Sequence, residues 1–463
     1  MSKRLTMMLS LLAVLGLLVG ACAAPAAPAP AAEAPAAEAP AAEAPAAEAA
    51  PAEAAAGEVA LRWRTRPDNQ EEIDVYSTVS TEIDAAWDGV TLTYEPGGSE
   101  TSSYQDVLKT EIAAGTAPDV FWIPGTDVAD FATRGLILNL ADLAAASEDY
   151  SADDFYPGPM DFLTYNPETA TSGADSGALW GLPRDVSTFA LYLNMDLINE
   201  AGAPDPRELA ANGEWTWEAF LDVATKVRAL GSDIFGYGAN AWWGPYGVWL
   251  NAAGGGFFNA DRTACNLNSP ESLAGLDFQR SLYQDAAVAV PYGEDSEPPF
   301  RAGKVAMFQN GRWATPGTRT VEFDWDVVEL PKGPSGSMGN WLFWGAYAVN
   351  ANTAHPEEAW KLVQMLTQAD TQGKIAALGA NIPSRVSQEA LDAFLTFTPP
   401  ANNQAFLNGL SDSPVAEGPL WAGSWPSYDQ TMGPRIQAVL TGSETLEQFG
   451  ATICDEAGKA FTQ

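Results

Sequence analysis

The chain has 463 residues, 60 acidic against 23 basic, with a single histidine and a formal net charge of −37. So negative a body is repelled by nucleic acid and by anionic lipid surfaces, which argues against either as a partner of its surface. One histidine and no close cysteine pair leave no metal-ligand cluster, and nothing in the residues calls for a cofactor.

The first element is a targeting segment. Lys3 and Arg4 precede an apolar run from Met7 to Val19, too short for an ordinary membrane span, which ends in Val19-Gly20-Ala21-Cys22. That ending resembles the lipobox of bacterial lipoproteins, so residues 1–22 read as a signal peptide with Cys22 lipidated. The alternatives are a plain secretory signal with an incidental cysteine and a single anchoring helix. Residues 23–57 are almost wholly Ala, Pro and Glu, with a Pro-Ala-Ala-Glu-Ala period from Pro30. They hold nothing to bury and read as a disordered tether. At about 3.1 Å per residue, such a stalk spans on the order of 100 Å when fully extended.

Roughly 400 residues remain, more than one hydrophobic core organises, so two lobes are expected. Without Lys3, Arg4 and the five tether glutamates, residues 58–463 hold 55 acidic and 21 basic side chains. Two cysteines are left, Cys265 and Cys454. Outside the cytosol such a pair reads either as a disulfide or as two buried thiols. The single His355, before Pro356, reads as a helix start.

Along the body, Val59 to Trp63 and Val90 to Tyr94 read as strands, with a polar stretch from Pro67 to Thr81 leading into helix between them. Tyr104, Val107, Leu108 and Ile112 recur at helical spacing, and Asp119 to Ile123 is a short apolar strand. Phe189 to Asn194 is a second buried strand. Thr216 is a plausible N-cap for a helix with Phe220, Val223, Ala224 and Val227 on one face. Another helix starts at Pro356, with Glu357 and Glu358 at its positive end and Ala359, Leu362, Val363 and Leu366 inward. Alternating strands and helices indicate an α/β fold.

Six blocks in order then carry a resemblance. They are Lys109-Thr110-Glu111-Ile112-Ala113-Ala114-Gly115-Thr116-Ala117-Pro118-Asp119-Val120, Gly135-Leu136-Ile137-Leu138-Asn139-Leu140, Gly181-Leu182-Pro183, Leu191-Tyr192-Leu193-Asn194, Trp215-Thr216-Trp217 and Phe300-Arg301-Ala302-Gly303-Lys304-Val305-Ala306-Met307. Together they resemble the family 1 extracellular solute-binding proteins, the maltose-binding-protein-like sugar receptors of ATP-binding-cassette importers. The resemblance implies a periplasmic-binding-protein-like (type II) α/β fold, two lobes joined by a hinge, with the ligand cleft between them. Carried over, lobe 1 holds 58–178 plus 305–350 and lobe 2 holds 179–304 plus 351–463.

A sugar offers C–H faces that stack on aromatic rings and hydroxyls that need paired donors and acceptors. The chain supplies sixteen tryptophans, many beside Gly and Pro. The resemblance places a stacking residue at Trp313 and lines the cleft with Trp341 and Trp344. Trp242 and Trp243 form a loop-borne aromatic platform, one of them core. Trp122, Arg64, Arg66 and Asp185 lie at strand ends, Arg385 either reaches the cleft or anchors a helix, and Asn194 reads as structural. The expected partners are a carbohydrate, an importer permease and, through the anchor, the outer face of the cytoplasmic membrane. The protein itself is expected to be a monomer and not an enzyme. The rival readings are the same fold binding a peptide or polyamine, and a carbohydrate-active enzyme, which would need two carboxylates about 5–10 Å apart. No Gly-x-Ser-x-Gly elbow supports a serine hydrolase.

Overall fold

A computed structural model describes residues 59–67, 70–98, 101–379, 381–412 and 414–462. The expected signal, Cys22 and the tether lie outside the described residues. Val59–Thr65 (β1) pairs in parallel with Val90–Pro96 (β2) and Val120–Pro124 (β3). Leu182–Ser187 (β4) stays in this sheet. The chain then builds a second sheet from Phe189–Asn194 (β5), Phe235–Ala239 (β6), Val305–Gly311 (β7) and Trp325–Val328 (β8), in the order β6-β7-β5-β8. Trp341–Val349 (β9) returns to the first sheet, antiparallel to β3 and β4. Ile382–Pro383 (β10) and Val415–Ala416 (β11) complete it.

This pairing corrects the expected lobe boundaries. The switch falls between Ser187 and Phe189, not at 179, and β7 and β8 belong to the second sheet rather than to lobe 1. Helix Pro356–Leu366 packs on β3, β4 and β9, and helix Ala369–Ala376 on β10, so this stretch follows the first sheet. The reason is hydrogen-bond satisfaction. β9 is buried along its whole length and needs a partner on each edge. β4 supplies one, in register from Leu182↔Tyr347 to Ser187↔Phe343.

Periodicity accounts for the elements themselves. The Thr216 hydroxyl accepts from the Ala219 N–H, and Phe220, Val223, Ala224 and Val227 on helix Trp217–Arg228 are all buried. On β5 the side chains alternate, Phe189, Leu191 and Leu193 entering the core of the second lobe while Ala190 and Tyr192 enter the other cluster. Asn194 caps the next helix by accepting from the Leu197 N–H. Cys265 and Cys454 are joined, with an S–S distance of 2.05 Å, tying a loop to helix Leu446–Ala457.

The hinge is tied by side chains. Asn340 accepts from the Phe189 N–H (3.0 Å) and donates to the Phe189 carbonyl (2.8 Å). Ser187 Oγ accepts from the Arg312 N–H, and Thr188 Oγ1 donates to the Phe406 carbonyl. The Arg312 guanidinium is fully buried and none of its nitrogens has a hydrogen-bond partner. It lies 4.7, 5.0 and 5.6 Å from the rings of Phe394, Phe406 and Phe397, and burial pushes its pKa down to about 10.

Two glycines before β9 separate conformational freedom from crowding. Gly336 has φ +83° with open space around its Cβ position, whereas at Gly339 (φ +64°) a Cβ would lie 2.1 Å from the Ala252 nitrogen. Gly336→Ala is expected to cost about 1 kcal/mol of unfolding free energy in urea titration. Gly339→Ala is expected to cost about 2 kcal/mol or more, because backbone must move as well.

Candidate functional site

The cleft forms where strand ends converge. In the first sheet β1, β3 and β4 run to the same edge, at Thr65, Pro124 and Ser187, where β9 begins. In the second sheet β6 ends at Ala239 and β7 at Gly311, running the same way as each other. Ligands of α/β sheets sit outside such carboxyl ends.

The second lobe presents an aromatic wall there. Trp242 and Trp243 follow β6, and Trp313 follows β7. All three are half-buried, their rings 5.7, 5.6 and 5.5 Å from Phe343 of β9. Phe189 packs against the same ring at 4.6 Å. Trp425 continues the row, 5.5 Å from Trp243.

The first lobe presents polar groups. Trp122 is buried, with the guanidinium carbons of Arg66 and Arg184 at 5.2 and 5.1 Å from its ring. Its indole occupies the space that Gly345 leaves, where a Cβ would be 1.9 Å from Nε1. Arg184 also donates to Asp185 (2.6 Å) and to Thr65 (2.8 Å). Asp127 accepts from Gln105 at 2.7 Å, and burial raises its pKa. Glu417, just after β11, accepts from the Trp344 N–H. Burial pushes its carboxyl up to about 8, with Asp127 and Asp185 adding like charge and Arg262 opposing.

Between the lobes lies a cavity of about 270 Å³, close to the lower end for small-molecule sites. Thr126, Ala129, Asp130, Thr133 and Arg134 of lobe 1 line one side, and residues of the Leu420 to Pro426 segment line the other. Trp421 lines it as well, with an indole N–H that is buried and has no hydrogen-bond partner.

The remaining expected residues fall elsewhere. Trp341 is buried and donates to the Gly244 carbonyl at 2.9 Å, which makes it core of the second lobe. Trp344 is buried too, stacked on Phe162 and donating to the Glu417 carbonyl. The Arg64 guanidinium is held by Glu95 (2.8 Å) and Glu111 (2.6 Å) through its two terminal nitrogens. Arg385 donates to Asp154 and the Thr367 carbonyl and lies 4.7 Å from Phe155, so of its two readings the anchoring one describes its contacts. Residues not anticipated are Arg184, Asp127, Glu417, Trp421 and Trp425. The run Gly418-Pro419-Leu420-Trp421-Ala422-Gly423-Ser424-Trp425-Pro426 carries the signal that singled out Trp242 and Trp243, indoles among Gly and Pro. Glu417 had no such signal. Among the described residues no cluster of three His, Cys, Asp or Glu is placed to hold a metal ion.

Two sheets meeting at an aromatic-lined cleft, joined by a chain that crosses repeatedly, define a two-lobed α/β binding protein. The chain belongs to the bacterial extracellular solute-binding proteins, whose family model matches residues 80–399. It therefore binds solute rather than converting it. The galactooligosaccharide-binding protein of Bacillus subtilis is 24% identical over 328 residues, 65% of this chain and 72% of that protein. An ABC substrate-binding protein of Listeria monocytogenes, solved in complex with cycloalternan, superposes with a TM-score of 0.77 at 20% identity. It covers 88% of this chain and 99% of its own. UgpB of Mycobacterium tuberculosis, solved with glycerophosphocholine, gives 0.73 at 17% identity, covering 88% and 98%.

Glu417 makes stability depend on pH. Between the usual carboxylate range and about pH 8 the unfolded chain releases this proton while the folded chain keeps it, so stability falls as pH rises through that window. Glu417→Gln removes this loss. Its melting temperature is expected to match wild type near pH 5 and to exceed it increasingly towards pH 8, by about 1 kcal/mol or more in unfolding free energy.

Proposed function

We propose that the protein captures a neutral carbohydrate, an oligosaccharide or glycoside, in the interlobe cleft and hands it to the permease of an ABC importer. What supports this reading is the row of half-buried indoles of the second lobe, Trp313, Trp242, Trp243 and Trp425, together with the carboxyl and guanidinium groups gathered at strand ends of the first. Rings stack on C–H faces, and Asp127, Asp185, Glu417, Arg66 and Arg184 offer the acceptors and donors that hydroxyls require. The B. subtilis relative and the Listeria structure point to the same ligand class by their own ligands.

Capture proceeds by closure about the crossings at Ser187–Phe189 and Gly339–Trp341. A ligand shifts that equilibrium only by contacting both lobes, and the cavity is lined from both. Micromolar affinity, roughly −8 kcal/mol, suits capture followed by release. Lipidated Cys22 and the 23–57 tether hold the monomeric body at the outer face of the membrane. A second reading, the same fold taking a non-sugar solute such as a peptide or polyamine, is favoured by one observation. The glycerophosphocholine complex of UgpB has nearly the same overlap.

A thermal-shift screen with mono- and oligosaccharides, amino acids, peptides, polyamines and glycerophosphocholine separates the two. A saturable shift with one carbohydrate class is expected, and a shift confined to another class would move the assignment there. For the sugar that binds, Trp313→Ala and Trp425→Ala are each expected to weaken affinity by about tenfold or more in calorimetry. Arg64→Ala is expected to leave it within about twofold, since its carboxylate partners lie outside the cleft.

A further inference from the structure

A segment of the second lobe reaches across to the first, and the reading above does not use it. Arg262 sits in a tight loop between Phe258 and Cys265, where Asn259 Oδ1 accepts from the N–H groups of Thr263 and Ala264. Arg262 itself has φ +54°, a left-handed conformation that a long L side chain rarely adopts. Its guanidinium donates to the carbonyls of Ala416 (2.5 Å) and Gly418 (2.9 Å), the residues on either side of Glu417. The guanidinium carbon also lies 4.8 Å from the Phe162 ring of the first lobe and 5.8 Å from Phe258 of its own. Burial lowers its pKa to about 10, with the nearby charge of Glu417 opposing, which leaves it charged at neutral pH.

The loop is fastened at its base. Cys265, three residues on, is bonded to Cys454 of helix Leu446–Ala457. The strand it reaches is thinly held, since β11 is two residues long and rests on β9 through hydrogen bonds from Val415 to Asn340 and from Glu417 to Leu342. Gly418 lies against Phe162, where a Cβ would be 2.4 Å from the ring, and the chain then continues into Leu420 to Trp425, one wall of the cavity.

We propose that Arg262 is a positioning residue for the binding cleft. Anchored through the Cys265–Cys454 disulfide, it clamps the backbone on both sides of Glu417 and thereby sets the course of the chain into the cavity wall that begins at Leu420. Both guanidinium bonds go to backbone carbonyls, so the clamp fixes where the strand lies. The aromatic slot between Phe162 and Phe258 also holds the cation. A strained backbone at Arg262 is retained because the loop must deliver the guanidinium across the lobe boundary. The effect on ligand rests on the proposed function, whereas the effect on the wall does not.

Amide hydrogen exchange on the full protein without ligand tests the clamp. Arg262→Met keeps the apolar stem but removes the guanidinium and its donors. It is expected to speed exchange of the Val415 and Glu417 amides by about tenfold or more, with helix Trp217–Arg228 unchanged. Wild type treated with a reductant, and Cys265→Ser/Cys454→Ser, are expected to reproduce the change, and reduction of the Arg262→Met protein to add little to it. Arg262→Lys, which retains a donor, is expected to restore part of the protection. Unchanged exchange at 415–425 in Arg262→Met, or additive effects of reduction and substitution, would overturn the proposal. With the sugar found by the thermal screen, the same variants are expected to weaken affinity in the order Lys, then Met. If no sugar binds, the carbohydrate reading falls while the exchange result still decides the clamp.

Discussion

The fold depends on how one asparagine closes a junction. Asn340, at the start of β9, uses both ends of its amide on Phe189, at the start of β5. Its oxygen also takes the N–H of Trp341. Two of the crossings between sheets are thereby bound into one unit, and a buried backbone that leaves one sheet for the other does not lose its hydrogen bonds. Around it Ser187, Thr188 and Arg312 add further ties, and Phe189 places its ring at the centre of the aromatic wall. The aromatic cluster and the junction between the sheets thus share a residue.

The polar side is arranged by a different means. Trp122 fits against β9 because Gly345 has no side chain, and Arg66 and Arg184 gather around its ring. Arg184 is in turn fixed by Asp185 and Thr65. Each group in this cluster is therefore held by a neighbour that is itself held. Glu417 differs, being carried on a two-residue strand and braced from the opposite lobe.

How much of this was legible beforehand varied with the kind of information needed. The helices at 217–228 and 356–366 and the strand at 189–194 were readable, because their apolar period is written locally and burial follows it. The family resemblance gave the two-lobed class. Lobe boundaries were not readable, since β4 joins the first sheet only through pairing with β9, about 160 residues away. The tryptophans divide for the same reason. Trp313, Trp242 and Trp243 follow strand ends, which sequence can suggest, and remain half-buried. Trp341 and Trp344 lie within a strand whose both faces are covered, so composition near Gly and Pro misrepresented their exposure. Trp421 and Trp425 carried the favourable signal without being singled out. Glu417 is special only through burial, and nothing in a sequence rich in acids distinguishes it.

The half-buried indoles have an optical consequence. Their emission depends on the polarity and mobility of what touches them, and at Trp313 and Trp425 part of that contact is solvent. Any molecule that displaces this water alters the surroundings of fluorophores already built into the wall, so the protein carries its own reporter of occupancy. The buried indoles of Trp63, Trp215 and Trp249 provide a constant background against which such a change can be read.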